Sequence, residues 1–480
     1  MPDISVMMWN VQNFGFANNR FRGNYGPVCR FIARAARQQN ADIIFIQELK
    51  QNGVARLAQL QLALNNAYAT AAPAGNWYYD SIKAAFAAGL AGGPNTNVTT
   101  AAQLDWTGPA NREGYAMFWN RNAAKFTMLA APTIAGAANT QSNGVRPLPL
   151  PMGVPAHALS LVLQGRPPAP DPFSPWAYQS AGFNPPANIP AWNNLNFPNR
   201  WGIALVRNAS RRPCYCTIDV NIAGPPPAAQ RIVPIMSYHA PSNSANLNAP
   251  PAGTQISAFS RQMYQAQNPA AAWGWINNAR AIAGGDFNVD MNPPGLAWNR
   301  EESYEEFTDA FAAGVAGGAA CHENVPVQQA IPINNTVVSL DQWIGGPPIQ
   351  VGAINAYRTS EFDNIFWRGF TGAPPPARGR VYDLLTAVRP GGSLVGGPIT
   401  GFLGLLNAGM GLLTIAPGAP YVGMQPCNAA GNLLYPDILN FAAFHADVTA
   451  GQMSSSRRAA EFVRLFISDH LPIVFRFTEP

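Results

Sequence analysis

Charged residues are scarce in this chain: Asp, Glu, Lys and Arg together make up 11% of its 480 residues. Soluble proteins average about 25%, so amide, Ala, Gly and Pro residues must form much of the surface. Hydrophobic residues reach 48%, which excludes an intrinsically disordered protein. Because so few charged groups are available for solubility, each carboxylate and histidine is more informative than usual about a functional site.

Lysine is almost absent, since Lys50, Lys83 and Lys125 are the only lysines among the 30 cationic residues. The net charge of +5 therefore comes mainly from arginine, whose planar fork binds phosphate through two hydrogen bonds. This bias suits a polyanionic partner such as nucleic acid. A GC-rich genome would produce the same bias, so the charge balance permits a nucleic-acid partner without establishing one.

Cysteine and targeting signals are also limited. The chain has 5 cysteines, and they lack the spacing of zinc-binding cysteine pairs. Cys214 and Cys216 lie too close together in an extended strand to indicate a disulfide framework. Reduced, mainly structural thiols are expected. The N-terminal stretch "MPDISVMMWNVQNFG" lacks the charged, apolar and cleavage regions of a secretory signal. We therefore expect synthesis in the cytoplasm, with export by a signal-independent route as an open alternative.

One long stretch, between Arg389 and Asp437, contains no charged residue. It includes "GFLGLLNAGMGLLTIAPGAP" at 401–420, and about 20 apolar residues are enough to span a membrane. The Gly, Asn and Pro residues within this segment, and its position before another apolar strand, favour a buried or surface-docked segment instead.

Short apolar runs, bounded by turn-forming residues, recur along the chain and predict buried strands. They lie at 4–11, 42–49, 114–120, 202–208, 231–240, 280–288, 362–369 and 471–477. Helices are predicted at 27–40, 256–267 and 303–314. This mixture favours a layered α/β sandwich. We predict one domain over 1–480 with long Pro- and Gly-rich surface insertions at about 132–200, 315–355 and 371–460.

Polar residues with catalytic potential stand at or beside the ends of these predicted strands. They are Asn10, Glu48, Glu113, His239, Asp286, Asn288, Asp363, Asp469 and His470. Each has an ordinary alternative as a loop amide, a helix cap, a turn residue or a structural histidine. Ligand chemistry collects at strand ends in α/β sheets, so one edge is expected to gather the whole set.

Seven short segments carry a resemblance to a known family: "WNVQN", "IQELK", "REGYAMFW", "SYHAPS", "GGDFN", "FDNIF" and "SDHLPI". In this order they resemble the signature segments of the endonuclease/exonuclease/phosphatase superfamily, and most closely its pancreatic-type deoxyribonuclease branch. The resemblance spans residues 6–477 through short blocks separated by long insertions. It implies a four-layer α/β sandwich of two packed mixed β-sheets flanked by helices. It also implies Mg²⁺-dependent cleavage of phosphate esters, with Mn²⁺ or Ca²⁺ as alternative ions.

The resemblance assigns roles around the metal and the phosphate. It makes Glu48 the metal-binding glutamate and Asp469 a candidate second metal ligand. Asn10 is implied to help hold the metal or the phosphate. Asp286 and Asn288, which share one side of an extended segment, are implied to orient the attacking water and the scissile phosphate. The stretch "AGGDFNVDM" at 283–291 is then a functional strand end rather than a plain turn.

The resemblance also implies two acid/base dyads, Asp363–His470 and Glu113–His239, on opposite sides of one phosphate. An in-line displacement needs one group to take the proton of water and another to protonate the leaving oxygen. The histidine in "SYHAPS" is what favours the deoxyribonuclease branch over apurinic-site endonucleases.

The expected substrate is DNA, cut with little sequence specificity. Arg112 and Arg200 lie beside matched segments and are candidates for contacts to DNA phosphates, with a solvated surface arginine as the alternative for each. We expect a monomer that an inhibitor or immunity protein restrains in its host. A sphingomyelinase-type lipid phosphodiesterase is the alternative function, and in that case the uncharged segment 391–436 would contact a membrane. A non-enzymatic relative is disfavoured because no catalytic position is substituted.

Overall fold

The structure is a computed structural model, and it describes residues 3–15, 24–50, 54–71, 75–83, 114–121, 125–128, 146–147, 214–221, 232–239, 281–286, 322–323, 336–340, 354–359, 362–368, 379–410 and 435–478. The strands are β1 (Asp3–Asn10), β2 (Ile43–Leu49), β3 (Trp77–Lys83), β4 (Gly114–Asn120), β5 (Phe126–Met128), β6 (Arg146–Pro147), β7 (Cys214–Val220), β8 (Ile232–His239), β9 (Ala281–Asp286), β10 (His322–Glu323), β11 (Asp363–Arg368), β12 (Gly379–Val381) and β13 (Ile473–Thr478). The α-helices are α1 (Gly26–Gln38), α2 (Val54–Ala67), α3 (Leu384–Ala387), α4 (Gly397–Thr400), α5 (Leu403–Met410), α6 (Phe441–Ala450) and α7 (Ser456–Phe462).

These strands form two mixed sheets. The first sheet has the order β12-β13-β1-β2-β4-β3, and the second has the order β10-β11-β9-β8-β7-β5, with β6 also paired to β7. Each sheet contains one parallel pair, β1–β2 in the first and β8–β9 in the second. The carboxyl ends of two parallel strands lie at the same edge of their sheet. This arrangement brings the ends of β1 and β2 together in one sheet and those of β8 and β9 together in the other.

The two sheets pack face to face and bury a shared core. Strand β1 shows why the sequence reads as an almost continuous apolar run. Val6 and Met8 belong to the core between the sheets, whereas Met7 and Trp9 belong to the core beneath the helices. Alternate residues of a strand point to opposite faces, so a strand that is covered on both faces needs apolar residues at every position.

The helices cover the outer face of the first sheet. Helix α1 begins with Pro27 in its first turn and buries its apolar side, including Phe31. Phe31 packs against Phe402 and Phe462, with ring centroids 6.0 and 5.8 Å apart. Residues 379–410 and 435–460, within the region predicted as a surface insertion at 371–460, contribute helices to this layer. The stretch between Arg389 and Asp437 is uncharged and glycine-rich, as an insertion could be, but its residues Phe402, Leu405 and Leu406 are buried.

The predicted fold class is confirmed: the chain is an α/β protein with mixed sheets and flanking helices. The predicted strand at 202–208 and the predicted helices at 256–267 and 303–314 lie outside the described residues. The division into one domain with three insertions stays a prediction. Of the helices described, none is long and apolar enough to cross a membrane. Cys29 and Cys216 are free buried thiols, as expected for reduced structural cysteines.

Candidate active site

The ends of the two sheets meet at Asn10, the last residue of β1. Its side-chain nitrogen donates to Glu48 Oε1 at 3.1 Å, within the first sheet, and to Asp286 Oδ2 at 2.9 Å, in the second sheet. Asn10 and Asp286 are buried, and Glu48 is partly buried. The amide thereby holds together two carboxylates that would otherwise repel each other across the gap between the sheets.

Glu48 has an unusual backbone conformation. Its φ is +57°, in the left-handed region, and the pairing of β2 with β4 shifts register between Ile46 and Leu49. A bulge of this kind redirects a side chain at the end of a strand, and non-glycine residues adopt positive φ only at a cost. The backbone N–H of Asn13 donates to Glu48 Oε2 at 2.7 Å and helps to fix the carboxylate in that position.

Three site residues form a row across neighbouring strands. Asp286 on β9 is in register with His239 on β8 and with Asp363 on β11. Residues opposite each other on adjacent strands project to the same face, so the three side chains lie side by side. His239 Nε2 is 3.4 Å from Asp286 Oδ2 and 3.7 Å from Glu48 Oε1.

His470 approaches this row from the chain just before β13. Its Nδ1 lies 2.7 Å from Asp363 Oδ2, and its Nε2 lies 3.6 Å from Asp286 Oδ2. Asp363 is anchored in turn, because its backbone N–H donates to Thr336 Oγ1 at 3.1 Å. The Asp363–His470 contact has the geometry of a carboxylate-oriented histidine, and the other ring nitrogen faces the centre of the site.

Burial and neighbouring charges shift two of these groups. Burial raises the pKa of the Asp286 carboxyl from 3.8 to about 6, and repulsion from Asp363 adds to the rise, while His470, His239 and Asn10 oppose it. For His470, burial disfavours the charged ring, but attraction to Asp363 and the other nearby carboxylates outweighs burial and holds the pKa of the histidine well above 6.5. The carboxylates around His470 therefore favour the charged form of its ring.

The donor atoms fit a divalent cation. Asn10 Oδ1 is buried and has no hydrogen-bond partner in the described part of the chain, so an oxygen acceptor next to Glu48 and Asp286 is left unused. Asp286, Asp363 and His470 form a second group, with potential ligand atoms within 4.8 Å of one another. Because His470 Nδ1 is engaged with Asp363 and the charged form of the ring is favoured, the ring is a poor ligand. Asn10, Glu48 and Asp286 supply the oxygen atoms that hard cations prefer.

The two carboxylate oxygens of Asp469 have different environments, since Oδ1 is buried without a hydrogen-bond partner in the described part of the chain. Its Oδ2 accepts a hydrogen bond from Gln12 Nε2 at 2.8 Å and pairs with Arg464 at 2.7 Å. That oxygen is therefore already neutralised by an arginine. Metal binding by Asp469 stays a prediction.

Four predicted site residues lie outside the described part of the chain. They are Glu113, Asn288, Arg112 and Arg200. The Glu113–His239 dyad and the two arginine contacts to phosphate consequently stay predictions. The residues that the structure brings together are Asn10, Glu48, His239, Asp286, Asp363 and His470.

Sequence reasoning missed Gln47, which precedes the metal-binding candidate. This amide is fully buried, and its Nε2 donates to Ser237 Oγ at 3.0 Å. Its Oε1 accepts from the backbone N–H of Asp286 at 3.2 Å. Gln47 thus links β2 of the first sheet to β8 and β9 of the second, directly beside the site. A glutamine within an otherwise apolar strand was the available signal, since a buried amide needs partners.

Ser468 is a second residue that sequence reasoning missed. Its hydroxyl donates to the carbonyl of Asn10 at 2.6 Å and accepts from the backbone N–H groups of His470 and Gln12 at 3.0 and 3.3 Å. It is fully buried. One hydroxyl therefore ties the end of β1 to the loop that carries His470.

Replacing this hydroxyl should destabilise the fold measurably. We expect Ser468→Ala to lower the free energy of unfolding by about 1–3 kcal/mol, because two N–H groups lose a buried acceptor. Urea denaturation would measure the change. Ser393→Ala is the matched control, since the Ser393 hydroxyl contacts Tyr382 at the surface and its loss should cost under about 0.5 kcal/mol. Equal effects of the two substitutions would contradict the role given to Ser468.

Comparison with known proteins agrees with this arrangement. The profile of the endonuclease/exonuclease/phosphatase family matches residues 7–387. The match includes Asn10, Glu48, His239, Asp286 and Asp363, whereas Ser468, Asp469 and His470 lie beyond it. No curated protein matches the sequence significantly.

Several solved structures are similar over most of the chain, at low identity. One is a protein of this family from Bacteroides thetaiotaomicron, with 10% identity, coverage of 100% of this chain and 99% of that one, and a TM-score of 0.40. Another is D. rerio TDP2 complexed with a single-strand DNA product, with 11% identity, coverage of 99% of both chains and a TM-score of 0.37. A third is the mannosyl-6-phosphatase of Bacteroides thetaiotaomicron, with 12% identity, coverage of 79% of this chain and 87% of that one, and a TM-score of 0.34. These values are too low to bear on the activity of this chain.

The family profile covers well over half of the chain, and its members are hydrolases of phosphoester bonds that generally depend on a divalent metal. The same ends of the two sheets carry the buried carboxylates, amide and histidines that such chemistry uses. The chain belongs to the endonuclease/exonuclease/phosphatase family.

Proposed function

We propose that the protein is a divalent-metal-dependent endonuclease of the pancreatic deoxyribonuclease type, which hydrolyses DNA phosphodiester bonds with little sequence specificity. One observation carries the proposal: two histidines from different parts of the chain flank a single buried carboxylate. His239 Nε2 and His470 Nε2 lie 3.4 and 3.6 Å from Asp286 Oδ2. A displacement at phosphorus needs one group that takes a proton and another that gives one, and the two histidines are the candidates for these roles.

Glu48, Asp286 and Asn10 are the residues that would hold the metal, most simply Mg²⁺. A bound cation would neutralise charge that builds on the phosphate oxygens during the reaction. Asn10 already contacts both carboxylates, so the protein itself keeps the ligand set assembled. Fixed donors of this kind need little rearrangement during the reaction.

The two histidines divide the proton transfers in this proposal. His470, kept charged by Asp363, donates its Nε2 proton to the leaving oxygen as the phosphorus–oxygen bond breaks. His239 accepts a proton from the attacking water as the new bond forms, and Asp286 orients that water. Glu113 is proposed to support His239 as Asp363 supports His470.

DNA is favoured over a lipid substrate by two features. Arginine supplies almost all of the positive charge, and Arg112 and Arg200 are proposed to contact the backbone phosphates. The described part of the uncharged segment 391–436 also lacks the exposed apolar surface that a membrane contact needs, because Phe402, Leu405 and Leu406 are buried. The sphingomyelinase-type activity remains the alternative, and an experiment must distinguish it from the nuclease activity.

Plasmid cleavage tests the proposal. Supercoiled plasmid incubated with the protein and Mg²⁺ should yield nicked circles, and EDTA should abolish the reaction. His239→Ala should slow it by about 10²- to 10⁴-fold, the usual contribution of a positioned proton-transfer group. Gel quantification of nicked circles over time gives the rate.

Arg121→Gln serves as the control, because this exposed arginine stacks on Tyr78 and contacts no site residue. It should cleave at the wild-type rate. Intact plasmid under all conditions would overturn the nuclease proposal. Hydrolysis of sphingomyelin vesicles in the same experiment would then support the alternative.

A further inference from the structure

Four arginines form a continuous surface on the helical side of the first sheet, named the arginine strip. They are Arg30 and Arg34 on α1, Arg56 on α2 and Arg380 on β12. Arg30, Arg34 and Arg380 are exposed, and Arg56 is half-buried. None of them belongs to the candidate active site.

Contacts with the two ends of α1 place Arg56 and Arg380 beside the helix that carries Arg30 and Arg34. The Arg56 guanidinium lies over the ring of Tyr25, the N-cap of α1, with its Cζ 5.5 Å from the ring centroid. Arg380 donates a hydrogen bond to Oε1 of Gln39, the C-cap of α1. Arg30 and Arg34 are one helical turn apart, about 6 Å along the axis.

The helices that carry most of the strip bring no opposing charge. The sequences of α1 and α2, GPVCRFIARAARQ and VARLAQLQLALNNA, contain no Asp or Glu. The neighbouring helices α4 and α5 lie in the stretch that has no charged residue at all. Within the described ranges, no carboxylate comes within ion-pairing distance of any of the four arginines. In a chain with so few charges, four arginines without a carboxylate partner in the described ranges form a concentrated positive surface.

We propose that the arginine strip binds the phosphate backbone of a DNA duplex, at a surface separate from the active site. Arginine grips phosphate oxygens through paired N–H groups and is more weakly hydrated than lysine. Duplex DNA presents one negative charge per about 1.7 Å of its axis. A row of arginines therefore faces several phosphates without reading the base sequence.

A membrane surface fits this strip less well. Helices that lie on membranes insert exposed apolar side chains between the headgroups. On α1 the apolar residues are buried in the core, and its fully exposed positions are Arg30 and Arg34. The helix thus offers charge to a partner, without the apolar face that would enter a bilayer.

This inference goes beyond the proposed activity and is tested without it. Binding of a fluorescein-labelled 20-base-pair duplex is measured by anisotropy in EDTA, where no metal-dependent cleavage occurs, at several KCl concentrations. We expect Arg30→Gln/Arg34→Gln to weaken binding about tenfold at low salt. The logarithm of the binding constant falls linearly with the logarithm of the KCl concentration. The double variant should make this slope shallower by about 2, since each lost phosphate contact removes about 0.9. Both substitutions are exposed and keep helix propensity, so thermal melting should be unchanged.

Arg121→Gln is the control for charge alone, because Arg121 is exposed outside the strip, and its binding should stay within about twofold of wild type. Wild-type affinity and salt slope in the double variant would overturn the proposal. So would loss of binding to phosphatidylserine vesicles with duplex binding unchanged. Failure of plasmid cleavage would contradict the proposed nuclease activity but would not affect the duplex-binding measurement. Failure of the activity and failure of duplex binding are therefore distinguishable.

Discussion

Asp286→Asn should produce an inactive protein that is more stable than the wild type. We expect the hydrolytic rate to fall about 10³-fold or more, because Asp286 serves the metal and both histidines. In EDTA at pH 8, the free energy of unfolding should rise by about 1–3 kcal/mol, because one pKa unit corresponds to about 1.4 kcal/mol. The carboxylate is kept at the site at the expense of stability.

The sign of this effect follows from the pKa of Asp286, which burial raises from 3.8 to about 6. The folded state holds a proton on this group more tightly than the unfolded state. Its contribution to stability is therefore fully present below about pH 4 and is lost as pH rises through about 6. Asparagine resembles the protonated form at every pH. The difference between variant and wild type should be small near pH 4 and reach its full size above pH 7.

Urea denaturation in EDTA at pH 4 and pH 8 measures this difference. Asp42→Asn is the matched control for activity, since Asp42 is also a buried carboxyl with a raised pKa but pairs with Lys125 far from the site. It should hydrolyse substrate at the wild-type rate. Lower stability of Asp286→Asn than wild type at pH 8 would contradict the expectation, as would full activity.

Phe402→Ala should cause the largest loss of stability. Phe402 is fully buried, and its ring lies 6.0, 5.0 and 5.9 Å from the rings of Phe31, Phe462 and Phe466. Replacing a buried phenylalanine by alanine costs about 3–5 kcal/mol, through lost burial and the cavity that remains. Urea denaturation at one pH gives the free energy, and the transition should remain a single cooperative step.

Leu439→Ala controls for apolar truncation in the same region, because Leu439 is 73% exposed. It should change stability by under about 0.5 kcal/mol. A comparably small effect of Phe402→Ala would mean that the helices of 379–410 do not belong to the core, as a surface insertion would require. The result therefore decides how far the domain prediction holds in this segment.

The local pattern of apolar and turn-forming residues was enough to predict much of the fold. The strands β1, β2, β4, β8, β9, β11 and β13 and the helix α1 all lie where apolar runs and turn residues placed them. Strand β3, with the sequence WYYDSIK, was missed because its mixed composition lacks a buried-strand pattern. Helices α3 and α4 have 4 residues each, too short for helical periodicity to be recognised. Such short elements form because tertiary packing stabilises them.

The candidate site also combines features that local sequence predicts with features that depend on packing. The residue types at the strand ends and their order can be read from the chain alone, and they were enough to indicate the family. Three features emerge only in the folded protein: Asp363 pairs with His470, Asn10 joins Glu48 to Asp286, and burial raises the pKa of Asp286. They could not be predicted because these contacts join residues that are distant in the chain. Their distances and burial depend on how two sheets pack, which no local pattern encodes.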